Sequence, residues 1–182
     1  MKKDTLYQFV CFATNLNIDV FSPEWERFAK KLKGKKNEPG LQQQAADSKA
    51  RYRYVSQHEW PDHDFNFKFM GDRKSEHFPD HPVRVVQIGG YAPMKPGKRF
   101  TAEDNQVRLI AFLGHNNTDI DFYQTLPFVQ HFELYQAYYE SCHYGYVVEL
   151  FVQEEDAEEL LTQLNQRPGL EAGIYRESLV VH

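Results

Sequence analysis

The sequence predicts an α+β protein in which two packed antiparallel sheets carry helices on their outer sides. Three observations lead there. Apolar runs of strand length recur along the chain, two segments carry helix caps with an amphipathic stripe, and the order of elements repeats about 100 residues on.

The first run, residues 6 to 14, is apolar at nearly every position and reads as a strand covered on both faces. A helix follows. Ser22-Pro23-Glu24 supplies a cap residue and a proline at the first helical position, and Trp25, Phe28, Ala29 and Leu32 fall on one face before Gly34 ends it. Residues 51 to 58, 65 to 70 and 83 to 88 alternate as half-buried strands. Residues 107 to 113 repeat the fully apolar type. The segment 119 to 130 has a weaker helical signal, because Pro127 cannot donate an interior helical hydrogen bond. Strands at 132 to 140 and 146 to 152 come next. Residues 155 to 166 form the last helix, with Ala157, Leu160, Leu161 and Leu164 as its stripe and Pro168-Gly169 as its stop. A β-rich run from 173 to 181 closes the chain.

Sliding the sequence by 100 residues places Phe12, Asn17 and Asp19 on Phe112, Asn117 and Asp119, while Val10 and Val20 meet Ile110 and Ile120. In both copies an apolar strand passes through an Asn/Asp loop into a helical segment, then into a strand pair: 51 to 58 with 65 to 70, and 132 to 140 with 146 to 152. The β-α-β-β order opens a ferredoxin-like unit. The expectation is therefore tandem ferredoxin-like repeats, 1–100 and 101–182, with the polar segment 71–82 in place of the first half's second helix. This order of elements resembles the dimeric α+β barrel superfamily, over about residues 6 to 181 and without a matching motif. The resemblance implies a fold shared by cofactor-independent oxygenases, isomerases and haem enzymes, and assigns no catalytic residue.

A formal charge of −5 gives no general attraction to polyanions, so no nucleic acid is expected as a partner. No run of about 18 apolar residues exists to span a membrane, and the N-terminal run is broken by Asp4 and Gln8 before any cleavage pattern. Two cysteines, Cys11 in a strand and Cys142 in a turn, suggest neither disulfides nor a metal knuckle, which points to a reducing, cytoplasmic setting.

Two polar groupings stand out. His58, His63, His77 and His81 alternate with Asp62, Asp64, Asp72 and Asp80, yet their loop-like spacing lacks a metal-binding signature, so no metal and no cofactor is expected. Arg51 and Arg53 alternate with Tyr52 and Tyr54, and Lys68 lies on the neighbouring candidate strand. If that hairpin lines a cleft, Arg51, Arg53, His58 and Lys68 suit an acidic small molecule; if it faces water, it is the solvated side of a half-buried pair. Cys142-His143 and Gly89-Gly90 complete no nucleophile or phosphate motif. The functional expectation is a small-molecule-binding protein. The alternatives are a cofactor-independent oxygenase or isomerase, as the resemblance implies, and an interaction module forming a homodimer.

Overall fold

A computed structural model describes residues 5–33, 40–44, 50–60, 84–95, 100, 103, 105–117, 119 and 121–180. Eight strands are β1 Leu6–Ala13, β2 Gly40–Gln44, β3 Tyr54–Trp60, β4 Arg84–Pro93, β5 Gln106–Leu113, β6 His131–Ala137, β7 Tyr146–Gln153 and β8 Leu170–Val180. Among the described residues three helices accompany them: α1 Ile18–Lys33, α2 Asp121–Gln124 and α3 Ala157–Asn165, the last entered through a 3-10 turn at Glu154–Asp156. The architecture is α+β and its sheet is antiparallel throughout.

Where two packed sheets are expected, the strands form one closed barrel in the order β1-β3-β2-β8-β5-β7-β6-β4. Pairing of β2 with β8 and of β4 with β6 closes it, joining strands distant in sequence. The pleat then sorts side chains into inside and outside. Tyr7, Phe9, Cys11, Val55, Tyr91, Ile110, Phe112, Tyr135, Val147 and Tyr175 form one cluster in the barrel interior. The opposite faces meet the helices. Phe21 of α1 stacks on Tyr54 at 4.1 Å, and Trp25 donates its indole N–H to Ser56 Oγ at 2.9 Å. Ala157, Leu160 and Leu164 of α3 cover Val107, Leu109, Val148, Leu150, Val152 and Ile174.

Several element boundaries differ from expectation. Helix α1 begins at Ile18, because the Asn17 carbonyl already accepts the amides of Val20 and Phe21, and Pro23 sits inside the helix. The expected helix at 119 to 130 shrinks to α2, the four residues Asp121–Gln124. Strand β2 was not expected at all, since Gly-Leu-Gln-Gln-Gln carries no alternation of apolar residues. The expected strand at 65 to 70 and the segment 71 to 82 lie outside the described residues.

Glycine is required at two places. A Cβ on Gly89 would lie 2.5 Å from the Tyr91 ring, which folds over that glycine within the interior. A Cβ on Gly145 would stand 2.5 Å from the His115 Cα, where the Gly145 amide donates to Leu113 O at 2.8 Å. Backbone cannot swing aside as a side-chain tip can. Gly145→Ala should therefore lower stability by about 1–3 kcal/mol, read from the urea midpoint, with little change in its slope.

Candidate functional site

Among the described residues the barrel interior is mostly aromatic and aliphatic, and a polar group stands at the end where β5 and β6 begin. There Arg108 of β5, Gln57 of β3, Glu133 and Tyr135 of β6, and Glu149 of β7 meet. Arg108 and Glu149 are neighbours through pleat and register: Arg108 is paired with Phe151, two residues beyond Glu149 on the same face. The guanidinium Nη1 lies 3.2 Å from Glu149 Oε1, and its carbon is 5.2 Å from the Phe151 ring centroid. Gln57 Nε2 donates to Glu149 Oε2 at 3.2 Å, and the Tyr135 hydroxyl reaches the same oxygen at 2.8 Å. Glu149 is fully buried, Gln57 and Arg108 nearly so. A carboxylate and a guanidinium withdrawn from water this far need each other and their hydrogen bonds.

The Tyr135 hydroxyl also bonds Glu133 Oε2. Glu133 sits nearer the surface, where its other oxygen accepts the Phe100 amide at 2.7 Å and lies 3.7 Å from His131 Nε2. The His131 ring stacks on Phe100 at 4.4 Å. A connected line of polar groups thus runs from half-exposed His131 through Glu133 and Tyr135 to buried Glu149. Tyr7 and Phe9 hold the Tyr135 ring edge-on, with centroids 5.1 and 5.3 Å away.

The other barrel end is phenolic. Tyr144 donates to Glu171 Oε2 at 2.9 Å, which leaves Tyr52 as the donor across the 2.8 Å contact between the two hydroxyls. Tyr175 donates to the Tyr52 carbonyl at 2.8 Å. Burial, helped by the bonds to Tyr52 and Glu171, pushes the Tyr144 phenol far above its usual range. Burial does the same to Tyr91 and Tyr175, and raises Tyr123, packed beneath α3, to about 12. These phenols keep their protons in the folded state at pH values where the unfolded chain releases them. The unfolded state then binds fewer protons, so stability is complete below pH 10 and is lost as pH rises from 10 towards 12 and beyond. Urea unfolding across that range should show the decline, with phenolate absorbance near 295 nm appearing together with unfolding.

The residues singled out in the sequence lie elsewhere. Arg51 is exposed, 5.6 Å from the Tyr52 ring centroid. Arg53 donates to Asn15 O at 3.0 Å and Asn17 Oδ1 at 3.1 Å on the phenolic-end surface. His58 is fully buried beneath α1, where its Nε2 is 2.7 Å from Ser56 Oγ. These three do not converge, and Lys68 lies outside the described residues. His63, His77 and His81 do too; among the described residues no group of His, Cys, Asp and Glu has the arrangement to hold a metal. Cys11 and Cys142 are free thiols, both buried, and burial raises both pKa values. No helix among the described residues is long and apolar enough to cross a membrane. A cleft of about 190 Å³ beside His115, Tyr138, Glu140 and Tyr146 opens on the phenolic-end rim. It is smaller than the roughly 300–1,000 Å³ usual for ligand sites.

No family model and no curated protein matches this sequence. Solved structures do match in shape. An anthrone oxidase-like protein superposes with a TM-score of 0.60 at 8% identity, covering 100% of this chain and 93% of that one. Chlorite dismutase from Candidatus Nitrospira defluvii, in complex with imidazole, gives 0.57 at 10% identity, covering 97% and 92%. Identity this low shows a common fold alone, an α+β barrel of the kind that the order of elements resembles.

Proposed function

We propose that this protein binds a small molecule inside the barrel, at the end where Arg108, Gln57, Tyr135 and Glu149 meet. The burial of Glu149 against Arg108 in a largely apolar interior carries this reading. A buried ion pair adds little to stability compared with apolar residues of similar volume, so a core built for stability alone has small use for one. Buried titratable groups gathered in a barrel interior make a candidate binding site, and some eight-stranded barrels hold one small ligand. Because Glu149 neutralises Arg108, the cluster favours an uncharged polar ligand with ring surface to lie on Tyr7 and Phe9. An acidic ligand on Arg51, Arg53, His58 and Lys68 is a separate reading, and Arg53 stands at the opposite end of the barrel. Oxygenase or isomerase chemistry belongs with the first site, because that is where carboxyls and a phenol share hydrogen bonds.

Thermal shift with 2-tetralone, an uncharged bicyclic ketone, tests the reading. The melting temperature should rise with ligand concentration, and Gln57→Leu should abolish the rise while leaving the barrel folded. No shift at millimolar ketone, or an equal shift in the variant, refutes it.

The same proposal takes the chain as two ferredoxin-like halves, 1–100 and 101–182. The strand orders β4-β1-β3-β2 and β8-β5-β7-β6 support it, as do β1 and β5, whose bounds lie 100 residues apart. On this reading β2 and β3 correspond to β6 and β7, a different pairing from the expected 51 to 58 with 65 to 70.

A further inference from the structure

We infer that the rim cleft beside the connection from β6 to β7 is a binding site for a quaternary ammonium group, of the kind choline carries. The inference is independent of the interior site proposed above and uses none of its residues.

Three pieces of chain build the cleft at the phenolic end: His115, just beyond β5, the connection 138–145, and Tyr146 at the start of β7. Tyr138, Tyr139 and Tyr146 give it three phenol rings. The first two stand at 78° to one another with centroids 5.1 Å apart, so they make two walls of a corner. Backbone bonds hold those walls. The Tyr138 amide donates to Gly90 O at 2.9 Å, the Cys142 amide donates to Tyr139 O at 3.0 Å, and His115 Nε2 donates to Cys142 O at 2.7 Å. A corner fixed in this way before a ligand arrives keeps down the ordering cost of binding.

Charge decides what the corner takes. Glu140 lines the cleft, is exposed, and is in no ion pair among the described residues, while neither lysine nor arginine lines it. An anion would meet Glu140 with nothing to offset it. A primary ammonium has three N–H donors to satisfy, which ring faces do poorly. A quaternary ammonium has none: its charge is spread over methyl groups that pack on aromatic faces, where the ring quadrupole attracts a cation. The cleft, about 190 Å³, is small for a drug-sized molecule and suits one nitrogen with its methyl groups.

The test is saturation-transfer NMR on the methyl singlet of choline with the full chain, alongside 3,3-dimethylbutan-1-ol, which has the same shape with carbon in place of the charged nitrogen. Wild type should give a saturable signal with choline and bind the alcohol roughly 3- to 30-fold more weakly. Tyr138→Leu removes one wall where the ring is 45% exposed, so the barrel stays folded, and should raise the choline Kd by a similar factor. Glu140→Gln should raise the Kd of choline and leave that of the alcohol unchanged, a split that lost packing would not produce. Vesicles of phosphatidylcholine separate the two sources of this group: co-sedimentation that free choline competes away assigns the cleft to a lipid headgroup, and choline binding without co-sedimentation assigns it to the free solute. No saturable signal with choline, equal affinity for the uncharged alcohol, or wild-type affinity in both variants overturns the inference, as does vesicle binding that choline leaves untouched.

Discussion

Arg108→Leu destabilises the fold by about 3–5 kcal/mol, because it leaves Glu149 charged, buried and without its guanidinium. Leucine fills part of the space, so lost volume is a minor share of the effect. Urea unfolding of Arg108→Leu, Glu149→Leu and the double variant measures it. The double variant should recover most of the loss or exceed wild type, since an apolar pair of similar volume replaces two ions that no longer need solvation. Salt should change the single variant little, because charges this deep are poorly screened. A loss below about 1 kcal/mol in Arg108→Leu would mean that Glu149 is not held as a buried ion.

Trp25→Ala has the second large effect, about 3–5 kcal/mol. The indole is 2% exposed, wedged between α1 and the outer face of β3, and alanine leaves most of its volume empty. Trp25→Phe separates volume from hydrogen bonding: it keeps most of the ring and loses the bond to Ser56 Oγ, at about 1 kcal/mol. Chemical denaturation of the two variants gives the comparison. The Ser56 hydroxyl, relieved of its indole donor, still has His58 within reach.

Strands β1, β5 and β7 and helix α3 were legible in the sequence because each buries what its pattern advertises: runs apolar on both faces, or a capped amphipathic stripe. Strand β2 was not, since a short polar segment held between β3 and β8 takes its place from pairing partners and not from its own side chains. Barrel closure was hidden for the same reason. Its seams join residues such as Gln44 and Tyr175, and no local pattern records that. Arg51 and Arg53 flank a bend before β3, where Tyr52 packs in the interior cluster, Tyr54 packs under α1, Arg51 is exposed and Arg53 is half-buried. The interior site did leave a trace. Arg108 within Val-Arg-Leu-Ile and Glu149 within Val-Val-Glu-Leu-Phe are charges in strands whose neighbours are all buried. A charge in such a run has to meet its opposite on a neighbouring strand, as Arg108 meets Glu149.

The pairing of β4 with β6 runs through Tyr91, Ala92 and Pro93, whereas β5 and β7 pair along their whole length. A ring parts first at its shortest clasp, and Pro93 brings no amide hydrogen to this one. Parting there would turn the ring into an open ribbon with two bare margins, each able to recruit the matching margin of another copy. Because Tyr135 is paired with Pro93 at that clasp, the residue whose hydroxyl reaches buried Glu149 is also the one where the closed fold would begin to part.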